Sequence, residues 1–242
     1  MKLAVISDVH ANLPALRAVL EAIAREGVDT IVHLGDAIAI GPQPAECLGL
    51  LLALPNARFV MGNHDAWFAH GLPQPQPKWM SDGEVAHQRW THAQLDPELR
   101  EVIAAWPNRL TMKLGGARVA FVHYALDTSG KRLQDVLRDP TAAQLDAAFA
   151  VHDPDGQNLV FYGHTHVFSD VRGRARYVNP GAVGCAPQAV ARYTLMTCGD
   201  EAYELHHRTV SYDDAELFAA VEARDVPERA FIAKVFLGGR HG

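Results

Sequence analysis

Residues 3–35 read LAVISDVHANLPALRAVLEAIAREGVDTIVHLG, and this stretch decides the fold class. The run LAVIS is short, continuous and apolar, which is typical of a strand buried on both faces. A helix follows, because Asn12 favours a helix start, leucine and isoleucine recur at helical spacing, and Gly27 favours a helix end. The run TIVHLG at 30–35 predicts a second strand. The opening is therefore a β-α-β unit.

The same alternation continues beyond this unit. We expect a helix over 42–54 and a third strand over 57–62, which together give the pattern of a largely parallel sheet covered by helices. Further strands are predicted at 109–114, 117–123 and 158–163, and short antiparallel ones at 176–179, 189–197 and 201–208. The fold class is therefore α/β. In such sheets, ligands bind beyond the carboxyl ends of the strands.

The segment 66–107 differs from the strands around it. Three prolines in a polar stretch predict a surface loop over 71–83, and two helices are expected at 84–92 and 97–106. All four tryptophans of the chain lie within this segment. We interpret it as a small helical cap inserted into a single domain that spans 1–242.

Two later segments are also predicted to be helical. One covers 133–151 and is divided near Pro140, and the other is a C-terminal tail, 212–242, in which Pro227 separates two helices. The apolar stretch at 231–237 could pack on the core of its own chain or on a second subunit. The sequence therefore leaves open whether the chain forms a homo-oligomer.

Composition excludes several classes of protein. The chain has 242 residues, 22 Lys and Arg against 28 Asp and Glu, a formal net charge of −6, and 48% hydrophobic residues. This balance is typical of a globular protein and argues against disorder or a coiled coil. No apolar run approaches the ~20 residues that span a bilayer, and we see no signal peptide, so we expect a cytoplasmic protein without a membrane partner. Net acidity disfavours long nucleic acid as a ligand.

The three cysteines are Cys47, Cys185 and Cys198. Their number is odd and none forms a CxxC pair, so the sequence indicates neither a disulfide framework nor a zinc site made of cysteines. We expect three buried thiols.

Polar side chains follow five of the predicted strands. They are Asp8 with His10, Asp36, Asn63 with His64 and Asp65, His123, and His164 with His166. The carboxyl ends of parallel strands meet at one rim, so we expect these groups to converge. Carboxylate and imidazole ligands suit Zn, Mn, Fe, Co or Ni. Their number fits two divalent ions better than one, and a carboxylate can bridge ions ~3.5 to 4 Å apart.

Each of these residues also has a purely structural interpretation. Asp36 and Asn63 could serve only as turn residues, and His123 could be a hydrogen-bonded histidine at a strand end. Asp65 could orient a histidine or form a turn. The coincidence of metal-competent residues at five strand ends favours a metal site over these readings.

The ordered motifs D-x-H, GD, GNHD, H and GHTH resemble those of the calcineurin-like metallophosphoesterase superfamily, over residues 6–184. The form GD-x-x-x-x-GPxP is similar to that of its small bacterial and archaeal phosphoesterases. The resemblance implies a four-layer α/β/β/α sandwich. It also implies a ligand set of Asp8, His10 and His166 for a first ion, Asn63, His123 and His164 for a second, and Asp36 as the bridge.

The resemblance further implies a metal-dependent phosphohydrolase with two divalent ions, manganese being favoured over iron, zinc, nickel or cobalt. Water between two cations loses a proton near neutral pH, because its pKa falls from 15.7 to about 7, and the hydroxide attacks phosphorus. His64 would hydrogen-bond a phosphoryl oxygen and protonate the leaving group as a general acid.

Departures from the superfamily pattern bear on the substrate. The arginine of G-D-x-V-D-R-G, which clamps phosphate in the protein phosphatases, is missing here, which argues against a phosphoprotein phosphatase and against close equivalence to the symmetrical dinucleoside-tetraphosphate hydrolases of that branch. We expect a small phosphoester, a diester rather than a monoester, with a nucleotide as one candidate. The tryptophans of the cap could stack on a base or form its core, and Lys131 and Arg132 could bind phosphate or remain solvated. The alternative is a non-catalytic scaffold for protein partners. Such relatives lose the acid histidine that this chain keeps at His64.

Overall fold

The computed structural model describes residues 1–151 and 156–240, and this part of the chain holds ten strands and eight helices. The strands are β1 (Lys2–Ile6), β2 (Thr30–His33), β3 (Ala57–Phe59), β4 (Arg109–Leu114), β5 (Ala117–Val122), β6 (Leu159–Phe161), β7 (Ser169–Arg172), β8 (Arg176–Asn179), β9 (Val190–Cys198) and β10 (Tyr203–Ser211). The helices are α1 (Leu13–Glu26), α2 (Pro44–Leu52), α3 (Asn63–His70), α4 (Asp82–Ala93), α5 (Leu99–Ala104), α6 (Ala142–Ala150), α7 (Ala215–Ala223) and α8 (Arg229–Phe236). Among these helices, none is both long and apolar enough to cross a membrane.

The strands form two five-stranded mixed sheets. The first has the order β10-β9-β1-β2-β3, in which β1, β2 and β3 are parallel and β9 and β10 are antiparallel. The second has the order β4-β5-β6-β8-β7, in which β5, β6 and β8 are parallel. Each sheet therefore has a parallel centre whose strands end on the same edge.

Alternation along β1 shows how the layers stack. Leu3 and Val5 face the second sheet and pack in one core with Phe121 and Phe161, whereas Ile6 belongs to the core beneath the helices of the first sheet. The two phenylalanine rings are stacked with centroids 5.4 Å apart. A third core packs α6 on the outer face of the second sheet. The structure thus has the four layers α/β/β/α, and the predicted fold class is confirmed.

Helix α1 forms where its sequence signals place it. The Asn12 side chain accepts a hydrogen bond from the amide of Ala15 at 3.2 Å, and Gly27 ends the helix at a φ of 61°. The left-handed conformation costs glycine little, because it has no Cβ. Leu16 and Val19 are fully buried against the sheet, which fixes the helix beside the carboxyl end of β1.

Three elements differ from the sequence prediction. Within 133–151 only α6 is helical, because the chain before it forms a loop in which Leu133 bridges Leu126. Strand β7 was not predicted, since it is short, carries three polar residues and lies at the edge of its sheet. Helix α3 starts at Asn63, directly inside the GNHD motif, where the sequence predicted no helix.

Helices α3, α4 and α5 lie between β3 and β4, so along the chain they separate the three parallel strands of the first sheet from the second sheet. This segment contains the predicted cap, 66–107, whose role as a cap stays a prediction. Its tryptophans do not share one role. Trp106 stacks on Phe59 with ring centroids 4.7 Å apart and is 8% exposed, whereas Trp79 is 66% exposed.

The C-terminal helices α7 and α8 pack against the loops at the rim of the sheets. Leu217, Ile232 and Leu237 share a core with Ile40 and Cys185. The predicted apolar stretch therefore covers the chain's own core with one face. The other face leaves Phe231 and Val235 exposed. Of the predicted tail, 241–242 lie outside the described residues.

Candidate metal centre

The seven predicted metal ligands lie at the carboxyl ends of parallel strands from both sheets. The first sheet supplies Asp8 and His10 after β1, Asp36 after β2 and Asn63 after β3, and the second supplies His123 after β5 and His164 and His166 after β6. The two edges meet face to face, so groups more than 150 residues apart in sequence come into contact. The structure brings all seven together.

The first group of predicted ligands is Asp8, His10 and His166. The Nε2 atoms of the two histidines are 2.9 Å apart, and Oδ1 of Asp8 lies 3.6 Å from His10 and 3.3 Å from His166. This carboxylate oxygen is buried and has no hydrogen-bond partner among the described residues. A buried, unpartnered oxygen is costly unless a cation satisfies it. The arrangement therefore fits a divalent ion.

The second group is Asn63, His123 and His164. Nε2 of His123 lies 3.2 Å from Oδ1 of Asn63 and 3.1 Å from Nδ1 of His164. On its other side, Nδ1 of His123 donates to the carbonyl of Leu34 at 2.9 Å. This hydrogen bond leaves the Nε2 lone pair facing the cluster, as a metal-binding histidine requires.

Asp36 lies between the two groups. Its Oδ2 is 3.2 Å from Nε2 of His123 and 3.9 Å from Nε2 of His10. Its Oδ1 accepts the backbone amide of His64 at 2.9 Å, which fixes the orientation of the carboxylate. A single carboxylate that faces both histidine groups is suited to bridge two cations.

The buried carboxylates are ionised at neutral pH. Burial by itself would raise the pKa of Asp8, but the charge of His166 and the proximity of the His10 and His166 rings hold it well below the usual range. Burial would likewise raise the pKa of Asp36, and the neighbouring histidines, His123 first, lower it instead. The cluster therefore presents two negative charges, which favours cation binding.

The backbone of the site is strained. Five of the seven residues have left-handed φ angles, namely Asp8 (54°), His10 (48°), Asp36 (59°), His164 (66°) and His166 (60°). Non-glycine residues adopt this region rarely, at a cost of ~1 to 3 kcal/mol each. Such strain clusters at functional sites, where the surrounding structure enforces it.

Two glycines allow the ligand loops to approach each other. A Cβ on Gly62 would overlap the carboxylate of Asp36, and one on Gly163 would overlap the Ser7 hydroxyl and lie 2.7 Å from Oδ2 of Asp8. Neither position tolerates a side chain. Steric exclusion therefore explains why glycine precedes the ligand residue in the GN and GH dipeptides of the motifs.

A sequence model of the calcineurin-like phosphoesterase superfamily domain matches residues 1–201 of the chain. The chain belongs to this superfamily. It is therefore a hydrolase of the metallophosphoesterase type, and the predicted family is confirmed.

Solved structures agree with this assignment. A metallophosphoesterase from Sphaerobacter thermophilus is 30% identical, with a TM-score of 0.71 and with 94% of this chain and 96% of that chain covered. A hypothetical protein from Pyrococcus horikoshii OT3 is 23% identical and shares the fold, with a TM-score of 0.81 and 98% of both chains covered. A symmetrical bis(5'-nucleosyl)-tetraphosphatase from Baumannia cicadellinicola subsp. Homalodisca coagulata is 39% identical over 62 residues, which are 25% of this chain and 22% of that protein.

The predicted acid of this phosphoesterase, His64, lies beside the cluster. Its ring is 5.3 Å from that of His10, centroid to centroid, and its Nδ1 accepts a hydrogen bond of 2.7 Å from the Gln88 side chain of α4. Desolvation is the main reason that the pKa of His64 falls to about 3. The ring is therefore neutral at pH 7 and carries its proton on Nε2.

Gln88 and Asp65 support the site in ways that the sequence did not predict. Gln88 is 1% exposed and comes from the helical segment, so no strand-end signal marks it. The Asp65 carboxylate accepts the amides of Gly62, Asp36 and Ala37 at 3.0, 2.7 and 3.0 Å. It thereby joins the loops after β2 and β3. None of these three bonds reaches a histidine ring, and the bond to Gly62 closes the local turn, which favours the turn interpretation of Asp65.

A histidine of α4, the helix that carries Gln88, anchors the helical segment to the rim of the sheets. His87 is 4% exposed, its Nε2 accepts the amide of Ile40 at 2.8 Å, and its Nδ1 donates to the carbonyl of Pro227 at 3.1 Å. Burial lowers the pKa of His87 to about 4. This residue therefore joins three segments while it is neutral.

The cysteines are free and buried, as predicted, but one of them lies at the site. The ligand atoms of His10, His166 and Cys185 all lie within 4.8 Å of one another. In the sequence, only its position hinted at this placement: Cys185 directly follows the turn NPGAVG at 179–184, which comes after the last ligand motif.

Proposed function

We propose that this phosphoesterase holds two divalent cations and cleaves small phosphodiesters. The observation that carries the proposal is the position of Asp36, whose carboxylate faces one histidine from each ligand group. The first ion would be held by Asp8, His10 and His166, and the second by Asn63, His123 and His164. Asp36 would contact both.

Two cations in this position would supply an activated water and neutralise the growing negative charge on phosphorus. The protein's own groups hold the arrangement in place before substrate binds. Nδ1 of His10 contacts the carbonyl of Ile38 at 3.3 Å, and Nδ1 of His123 contacts that of Leu34, so both rings are fixed in orientation. Pre-positioned ligands avoid reorganisation during the reaction.

His64 would act on the leaving group. Its Nε2–H is available because Gln88 occupies Nδ1. A neutral imidazole is a hydrogen-bond donor to a phosphoryl oxygen or to the ester oxygen as the bond breaks. The complete set of ligands and the presence of His64 support catalysis over the scaffold alternative.

A nucleotide substrate is supported by an aromatic pair next to His64. The Trp67 ring lies 4.8 Å from that of His64 and 6.1 Å from that of Trp79, at an interplanar angle of 29° for the tryptophan pair. Trp79 is exposed and could stack on a base, a contact worth ~1 to 3 kcal/mol. By contrast, Arg132 pairs with Asp127 at 3.0 Å on an exposed loop, which favours the solvated interpretation of that arginine.

The test is hydrolysis of bis-p-nitrophenyl phosphate by protein supplied with manganese, the metal that the family resemblance favours. We expect turnover in the wild type and a loss of more than ~100-fold in Asp36→Asn and His123→Ala, because each removes a predicted ligand. Undiminished turnover after exhaustive chelation would refute the proposal. In a second panel, Trp79→Ala should raise KM for a nucleotide diester and leave KM for an alkyl phosphodiester unchanged.

A further inference from the structure

Cys185 lies on the loop after β8, and backbone hydrogen bonds fix this loop against the end of β1. The amide of Val183 donates to the carbonyl of Ser7 at 2.9 Å, and the amide of Gly184 donates to that of Asp8 at 2.9 Å. A Cβ on Gly184 would lie 2.7 Å from the carbonyl carbon of Val9. The chain therefore reaches Cys185 by way of a tight backbone approach to the first ligand group.

The thiol faces the first ligand group. Its sulfur lies within 4.8 Å of one ring nitrogen of His166 and one ring nitrogen of His10. Cys185 is only 3% exposed, so solvent does not compete for the sulfur. The Nε2 atoms of His166 and His10 lie 3.3 and 3.6 Å from Oδ1 of Asp8, the buried oxygen without a hydrogen-bond partner among the described residues.

From this placement we infer that Cys185 is a fifth protein ligand of the first ion, beside Asp8, His10, His166 and the bridging Asp36, so that this position binds a thiophilic divalent cation such as zinc in preference to manganese. The inference rests on the proposed function, since it extends one of the two ion positions. Thiolate sulfur favours zinc, and carboxylate and imidazole complete a set that suits it, whereas manganese favours oxygen-rich sites. The second position has no cysteine among its neighbours within 1–151 and 156–240.

The thiol must lose its proton to bind. Burial raises the pKa of Cys185 in the metal-free protein. A bound cation deprotonates a coordinating thiol outright, so zinc binding releases this proton to solvent. The ring nitrogens of His10 and His166 already lie within 4.8 Å of the sulfur, and the Asp8 carboxylate contacts both rings.

The experiment is zinc X-ray absorption spectroscopy on the full chain, stripped of metal and reloaded with zinc. We expect a sulfur scatterer at about 2.3 Å in addition to nitrogen and oxygen scatterers at about 2.0 to 2.1 Å. Cys185→Ser should lose the sulfur scatterer. Cys198→Ser is the matched control, because its thiol is also buried but lies in the core between the two sheets, and it should keep the scatterer.

A competition between zinc and manganese supplies a second measurement. Loss of a direct ligand should lower the preference for zinc by at least ~10-fold in Cys185→Ser relative to the wild type. Wild-type protein that binds zinc without a sulfur scatterer would overturn the inference and leave the proposed function standing. Protein that binds no divalent cation would overturn both. If Cys185→Ser does not fold, the wild-type and Cys198→Ser spectra still decide the question.

Discussion

Replacing His87 with glutamine removes the titrating group and keeps a side chain that can accept and donate hydrogen bonds. The variant therefore isolates the pH dependence that His87 gives to the free energy of unfolding. His87 accepts from the amide of Ile40 through Nε2 and donates to the carbonyl of Pro227 through Nδ1. Protonation would convert the accepting nitrogen to a donor and break the contact with Ile40. Glutamine offers one acceptor and two donors but does not titrate between pH 4 and 8.

The magnitude follows from the pKa of His87, which is 6.5 for an unperturbed histidine and about 4 in the fold, chiefly because of burial. A group with a lowered folded pKa binds fewer protons when folded. Its contribution is therefore fully present above pH 6.5 and is lost as the pH falls towards 4. At pH 5 the unfolded form is already protonated and the folded form is not, so about 2 kcal/mol of unfolding free energy is lost relative to pH 7.

The assay is urea unfolding of metal-free protein at pH 7 and pH 5. Wild type should lose about 2 kcal/mol more than His87→Gln between the two pH values, since the other histidines titrate in both proteins and cancel. His206→Gln is the matched control, because His206 lies on β10 with an exposed side chain, and it should behave as the wild type. Equal losses in the wild type and His87→Gln would refute the reasoning.

Two further predictions concern the loops and the helical segment. Gly163→Ala should lower the free energy of unfolding by ~1 to 3 kcal/mol in urea denaturation, because its Cβ would overlap the loop after β1, whereas Gly49→Ala in α2 meets no atom within 4 Å and should not destabilise. Gln88→Leu should reduce kcat more for an ester with an alkoxide leaving group than for a p-nitrophenyl ester, because His64 loses the hydrogen bond that orients it. Equal reductions for both esters would contradict that role.

The sequence predicted the fold correctly where buried residues form a continuous strand run or recur at helical spacing. Strands β1, β2 and β6 are apolar runs, and α1 has a capping residue, one buried face and a terminal glycine. The failures have local causes. Residues 133–141 contain Asp139, whose φ of 45° is incompatible with a helix, and the loop is held by Gln134, which bonds the carbonyls of Leu126 and Ala148.

The candidate site likewise contains residues that the sequence predicted and residues that it did not. Residues that follow buried strands were predicted to converge, and they do, because strand ends in a parallel sheet share an edge. Gln88, His87 and Cys185 carry no such signal. Gln88 and His87 lie on a helix whose docking depends on tertiary contacts, and Cys185 reaches the cluster through a loop whose amides at Val183 and Gly184 bond the carbonyls of Ser7 and Asp8, just after β1. Neighbour relations of this kind are set by packing and not by local pattern.

The division of the site between two sheets has a consequence for the order in which the protein matures. Asp8, His10 and Asp36 leave the ribosome early, but the contact between His10 and His166 joins residues 156 positions apart. Under the proposed function, a nascent chain would chelate an ion there only after the second sheet has been translated and has docked on the first. Ion capture would then be a late event in biogenesis, and a metal signal from this protein would report that both sheets have closed together.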